Sequence, residues 1–160
     1  MKYVTVLFCI VLTGCVTRYQ LPPNTESATI KLSTADFKLM DKVRVQVYED
    51  ENCTQSTRGN RLAYFFMDMY DPKKGVVKKI AANKEFVFTY VLGKGTFCAV
   101  TSKFVPVPGG SYTSYFFGSE DRKCHVDLEE LYRKENGEEG RRPVPSFRVL
   151  EKSCISNFTD

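Results

Sequence analysis

The chain has 160 residues, and its 23 basic residues against 19 acidic ones give a formal net charge of +4. This length supports one domain with a hydrophobic core and leaves little room for a second. The charge is too small for an extended nucleic-acid-binding surface, so we predict no nucleic-acid partner.

The N-terminal segment has the three parts of an export signal. Lys2 supplies a positive charge, residues 4–12 form an uncharged and mostly apolar run, and the small residues Thr13 and Gly14 follow. The run is too short for a permanent membrane span, which needs about 20 residues. We therefore predict that residues 1–14 are a signal peptide and are removed during export.

The sequence Leu12-Thr13-Gly14-Cys15 resembles the lipobox of bacterial lipoproteins. In that family the cysteine thiol receives a diacylglycerol, and the amine freed by cleavage is usually acylated as well. The resemblance covers about the first 15 residues and implies a palmitate-type lipid anchor on Cys15. Val16 stands where an Asp would favour the inner membrane, so the resemblance also implies the outer membrane, with the protein facing the periplasm. An ordinary secretory signal peptide, with Cys15 incidental, is the alternative.

Residues 15–26 are predicted to be the lipidated cysteine and an extended linker. This stretch contains Pro22 and Pro23 and shows little apolar periodicity. The linker is expected to let the domain, residues 27–160, stand clear of the lipid headgroups.

The chain has six cysteines, of which Cys9 lies in the predicted signal peptide and Cys15 carries the predicted lipid. An even number of remaining cysteines in an oxidising compartment predicts two disulfides. Four thiols allow three pairings, and the pairing that we favour is Cys53 with Cys98 and Cys124 with Cys154. No two of the four have the close spacing of a zinc knuckle, so we predict no metal site here.

Between residues 27 and 117, apolar side chains mostly recur at every second position, which is typical of β-strands. The clearest half-buried strand alternates Val43, Val45 and Val47 with polar residues, whereas residues 85–92 are apolar on both faces and predict a central strand. Residues 104–110 contain two prolines and predict a corner. The predicted strands cover residues 28–32, 43–47, 62–67, 85–92, 96–100, 112–117, 123–127 and 147–150.

The pattern changes towards the C-terminus. Leu128, Leu131 and Tyr132 follow the i, i+3, i+4 spacing and predict one short helix over residues 127–135. Residues 137–143 are highly charged and predict a mobile loop. Together these elements predict a mainly β fold, namely a small antiparallel β-sandwich, immunoglobulin-like or transthyretin-like, with one short helix.

The sequence offers little for catalysis. His125 is the only histidine, and its position beside a predicted disulfide cysteine favours a structural role. There is no nucleophile-elbow, phosphate-loop or zinc-protease motif. We therefore predict that the protein is not an enzyme and has no catalytic residues, no metal site and no cofactor.

Two groups of side chains are candidates for an interaction surface. A basic group could attract anionic headgroups or an acidic partner, or could simply keep a strand edge soluble. An aromatic group could form a docking patch on an outer face, or could pack in the core. The basic group is Lys73, Lys74, Lys78 and Lys79, and the aromatic group is Tyr112, Tyr115, Phe116 and Phe117.

These expectations favour a membrane-anchored periplasmic lipoprotein that serves as a structural or accessory interaction module of the cell envelope. Its expected partners are the membrane, through the lipid, and an envelope protein that the sequence does not identify. A periplasmic ligand-binding or inhibitor module, with a pocket lined by Phe and Tyr side chains, is the alternative.

Overall fold

The computed structural model describes residues 18–35, 42–53, 60–66, 75–93, 98–118 and 124–154. This part of the chain contains no helix and forms ten strands. The strands are β1 (Ser27–Ala35), β2 (Lys42–Tyr48), β3 (Asn60–Phe66), β4 (Val76–Ala81), β5 (Phe86–Gly93), β6 (Cys98–Phe104), β7 (Ser111–Gly118), β8 (Cys124–Arg133), β9 (Glu139–Pro143) and β10 (Arg148–Val149).

The strands form two five-stranded sheets. Sheet I has the order β4-β1-β7-β8-β9, and sheet II has the order β10-β6-β5-β2-β3. Every pair is antiparallel except β1 with β7, which is parallel. The predicted antiparallel β-sandwich is confirmed at this level, and its immunoglobulin-like or transthyretin-like character stays a prediction.

The core lies between the sheets and is built by alternation along each strand. Val43 and Val45 on β2 are fully buried, as their spacing predicted. Aromatic rings join the two layers: the Tyr90 ring of β5 stacks on the Phe116 ring of β7 with 4.8 Å between centroids. The Tyr90 hydroxyl also donates a hydrogen bond to Ser114 Oγ at 3.2 Å. The sheets are therefore joined by aromatic ring packing and by a buried hydrogen bond between two hydroxyl groups.

Strand β5 is buried on both faces, which confirms the predicted central strand. It lies between β6 and β2 in sheet II, and its side chains from Phe86 to Leu92 are all buried. On the side away from the core, Val87 packs with Tyr48 and with the disulfide of Cys154. The C-terminal segment therefore covers part of the outer face of sheet II.

The predicted helix over residues 127–135 is wrong, because most of this segment belongs to β8. Val126 and Leu128 are buried while His125 and Asp127 are exposed, which is the period of a strand. Hydrogen bonding to β7 on one side and β9 on the other satisfies the backbone. The helical spacing of Leu128, Leu131 and Tyr132 was thus coincidental, since Leu131 lies on the opposite face from Leu128.

The predicted mobile loop over residues 137–143 is also wrong in large part, because residues 139–143 form β9. The strand carries almost no apolar side chains, so its pattern gave no strand signal. Gly140 allows the close pairing, since a Cβ there would lie 2.5 Å from Cζ of Tyr132. Strand β9 is held by its neighbour and by ion pairs across the sheet, not by a hydrophobic face.

All four predicted cysteines form disulfides, but the favoured pairing is wrong. The bonds join Cys53 to Cys154 and Cys98 to Cys124, with Cα–Cα distances of 5.4 and 6.3 Å. Cys98 begins β6 in sheet II and Cys124 begins β8 in sheet I, so this bond links the two sheets. Cys53 lies at the end of sheet II opposite to Cys98. A disulfide needs Cα atoms within about 7 Å, so these two cysteines cannot bond.

The N-terminal residues that the sequence placed in a linker contact the sandwich from Tyr19 onwards. The Tyr19 N–H donates to the Arg61 carbonyl at 3.0 Å, and its hydroxyl accepts a hydrogen bond from the Ala81 N–H at 3.1 Å. Its ring meets the edge of Phe86 with 6.0 Å between centroids. Residues 18–26 are therefore attached to the domain.

Tyr48 should make stability fall at high pH. Burial raises its pKa from 10.0 to about 12, so the folded state disfavours the phenolate. The stabilisation is fully present below pH 10 and is lost as the pH rises towards 12, a change of roughly 2 to 3 kcal/mol. Urea unfolding between pH 8 and 12 should show this loss. Tyr48→Phe should reduce the dependence of the free energy of unfolding on pH across this range.

Candidate functional site

The four candidate aromatic residues of β7 divide between the two faces of sheet I. Tyr112 and Phe116 are buried in the core, and Tyr115 and Phe117 lie on the outer face with partial exposure. This division follows from the strand itself, because side chains one residue apart point to opposite faces. Two of the four rings are therefore accessible to a partner, and two are not.

The outer rings are joined by the single histidine. His125 lies directly opposite Phe117 on β8, and the two rings stack with 4.6 Å between centroids and 14° between planes. Tyr115 lies next to Phe117 on the same face, with 6.1 Å between centroids. Tyr115, Phe117 and His125 form a continuous surface, called the aromatic patch below.

Charged side chains surround the aromatic patch. Arg141 of β9 donates a hydrogen bond to the Tyr115 hydroxyl at 2.6 Å, and its Nη1 lies 3.5 Å from a carboxylate oxygen of Glu129. Asp127 lies opposite Tyr115 on β8 and is exposed. The site thus combines flat rings with an arginine and carboxylates, and of these residue types tyrosine and arginine are enriched in protein-binding hot spots.

Tyr112 has a structural role instead. Its hydroxyl accepts a hydrogen bond from the Val107 N–H at 2.9 Å, and burial raises its pKa. Its ring meets the edge of Phe104 with 5.0 Å between centroids. Tyr112 therefore anchors the turn between β6 and β7 to the core.

The candidate lysines do not converge in the part of the chain that the structure describes. Lys78 and Lys79 are exposed neighbours on β4, so they project to opposite faces. Strand β4 is an edge of sheet I, where lysines discourage pairing with another chain. Lys73 and Lys74 lie outside the described residues, as do the predicted signal peptide and Cys15.

Within the same described ranges, no three or more His, Cys, Asp or Glu side chains group in a way that could hold a metal ion. His125 is exposed and stacks on Phe117. Also within these ranges, no helix is long and apolar enough to cross a membrane.

Sequence reasoning missed Arg141 and the role of His125 in the patch. Arg141 reaches Tyr115 only because residues 139–143 pair with β8, and that segment was predicted to be a loop. Gly137 was a usable sequence signal, because glycine adopts positive φ angles and is typical of tight turns. It has a φ of 85° in the turn between β8 and β9.

Comparison with known proteins adds no family to this description. No family model, no curated protein and no solved structure matches the chain.

Proposed function

We propose that this protein is a lipid-anchored interaction module of the bacterial cell envelope, held in the outer membrane through Cys15 and facing the periplasm. Its role is to bind a partner protein, not to catalyse a reaction. The observation that carries the proposal is the aromatic patch, in which Tyr115, Phe117 and His125 present stacked rings on the outer face of a sheet.

The physical case for docking is preorganisation. The rings sit on adjacent strands of a sheet and stack on one another, so they lose little conformational freedom when a partner covers them. Tyrosine and arginine are enriched at binding hot spots, and Tyr115 and Arg141 already contact each other. When a partner covers these partly exposed rings, apolar surface is removed from water, and this favours binding.

The disulfides support an exported location. Two bonds are formed among the four cysteines that remain after Cys9 and Cys15. Such bonds persist in oxidising compartments such as the periplasm and are rare in the cytosol. This agrees with the export signal that residues 1–14 predict.

The alternative, a ligand-binding module lined by aromatic side chains, has less support. The buried rings contact one another, as in the pairs Tyr90 with Phe116 and Phe104 with Tyr112. These rings are therefore used in joining the two sheets. Mass analysis of the purified protein would test the alternative, since a bound small molecule on a monomer would favour it.

Membrane attachment should depend on Cys15. Cys15→Ser is expected to block processing and to release the protein from membranes, because two or three acyl chains anchor a protein firmly whereas a single chain does so only marginally. Fractionation after a high-salt wash would measure this, with Cys9→Ser as the matched control in the segment that is removed. Retention of the Cys15→Ser protein with salt-washed membranes would exclude the anchor.

Partner binding should depend on the aromatic patch. Phe117→Ala and Tyr115→Ala should each weaken crosslinking to a stoichiometric envelope partner, by about 30-fold in affinity if the residue contributes the roughly 2 kcal/mol typical of a hot spot. Val149→Ala is the control, because Val149 is also exposed but lies on β10 in the other sheet. Equal crosslinking by all three variants would exclude the patch as the binding surface.

A further inference from the structure

The turn between β6 and β7 exposes apolar side chains at one end of the sandwich. Residues 105–110 read Val-Pro-Val-Pro-Gly-Gly and carry no charge. Val105 is 44% exposed and Val107 is 50% exposed. We call these six residues the apolar corner.

The apolar corner is rigid, so its valines stay in solvent. Each proline fixes its own φ angle. The Val105 N–H donates to Ser146 Oγ at 3.1 Å, the Val107 N–H donates to the Tyr112 hydroxyl at 2.9 Å, and the Gly109 N–H donates to the Ser27 carbonyl at 2.9 Å. These three hydrogen bonds hold the backbone of the corner. Turning the valines inwards would break some of them, which costs free energy.

The N-terminal segment joins the sandwich at this same end. Tyr19 accepts its hydrogen bond from Ala81 at the end of β4, and the next residue, Ala82, donates to the Glu26 carbonyl at 2.8 Å. Asn83 then donates to the carbonyl of Pro106, in the apolar corner, at 2.9 Å. We call this the basal end of the sandwich.

The chain between the basal end and Cys15 is short. Cys15 and Tyr19 are separated by four residue steps, which span at most about 14 Å when fully extended. Arg18 forms a parallel bridge with Arg61, and β3 runs away from the basal end. Because Cys15 lies so few residues before Tyr19, a lipid on Cys15 would hold the basal end close to the bilayer.

Charges of both signs lie at the basal end. Arg18 and Lys84 are exposed there. Exposed carboxylates also lie there, after β2 and in the β8–β9 turn, at Glu49, Glu135, Glu138 and Glu139. Charge therefore does not draw this end to anionic headgroups, and the contact depends on the exposed valines and the short chain to Cys15.

We propose that the apolar corner is a membrane contact, with Val105 and Val107 in the headgroup and acyl boundary of the bilayer that holds the lipid. This inference rests on the proposed lipid anchor at Cys15. It also sets the orientation: Phe117 and His125 lie beside the Cys98–Cys124 bond at the opposite end, about 20 Å away along the strands. The aromatic patch then faces the periplasm and stays free for a partner.

Tryptophan fluorescence can test the contact, because the chain contains no tryptophan. Val107→Trp places a single reporter on the apolar corner. Val77→Trp is the matched control, since Val77 is 59% exposed on β4 but lies towards the opposite end. Each protein is purified from membranes and reconstituted into phosphatidylethanolamine and phosphatidylglycerol vesicles, with and without brominated acyl chains.

The expected result is blue-shifted emission and several-fold stronger quenching by brominated lipid for Val107→Trp than for Val77→Trp. If the vesicles float with the protein but both reporters are quenched equally by aqueous iodide, the membrane contact is excluded and the anchor remains. If Val107→Trp is protected from iodide without quenching by brominated lipid, a second copy or another protein covers the corner, and the proposal is again excluded. If the protein does not float with vesicles, the anchor and the contact both fail.

Discussion

Replacing Cys53 and Cys154 together by alanine is expected to lower the free energy of unfolding by about 5 kcal/mol. The bond closes a loop with a sequence separation of 101 residues, and the entropy that a disulfide removes from the unfolded chain grows with loop length. The same replacement of Cys98 and Cys124, with a separation of 26 residues, should lower it by about 3.5 kcal/mol. Urea unfolding of both double variants beside the unchanged protein would measure the two losses.

Thiol labelling supplies the control for this prediction. In the Cys98→Ala, Cys124→Ala variant, Cys53 and Cys154 should stay bonded and resist a thiol reagent. In a Cys53→Ala, Cys98→Ala variant, each remaining cysteine has lost its partner, so both should be labelled after denaturation without reduction. A resistant Cys124–Cys154 bond in that second variant would contradict the pairing.

Phe116→Ala is expected to destabilise the protein by about 3 to 5 kcal/mol, the usual loss for a buried phenylalanine. Phe116 is fully buried and stacks on Tyr90 across the two sheets, so its removal leaves a cavity between the layers. The loss is a large part of the roughly 5 to 15 kcal/mol that stabilises a typical domain. Thermal or urea unfolding would measure it.

Phe117→Ala is the matched control, because it removes the same side chain one residue further along β7. Phe117 is partly exposed on the outer face and stacks on His125, so we expect a loss of only about 1 kcal/mol. Among correctly folded proteins, Phe117→Ala should weaken partner crosslinking more than Phe116→Ala does. Equal destabilisation by the two changes would contradict the division of β7 into a core face and an outer face.

Several features could be predicted from the sequence because they are local. Alternation of Val43, Val45 and Val47 with polar residues predicted β2, and an apolar pattern on both faces of residues 85–92 predicted the central β5. Both follow from the period of side chains along one strand. The participation of four cysteines in disulfides was predicted from their number and from the predicted export signal.

Other features depended on which segments meet. The spacing of Leu128, Leu131 and Tyr132 satisfied a helical pattern, yet pairing with β7 and β9 makes the segment a strand. Residues 139–143 lack an apolar face and become β9 only because β8 offers them hydrogen-bonding partners. In both segments, contacts between strands decided the structure in place of the local pattern.

The sequence by itself determined the β class, the cysteines that bond and the lipobox resemblance at Cys15, since each depends on residue type and nearby spacing. Only the tertiary structure decided the disulfide pairing, the separation of Phe116 from Phe117 and the meeting of Arg141 with Tyr115. These depend on the order of strands in the sheets. Strand order is set by the packing of the whole core, which brings together residues that are far apart along the chain.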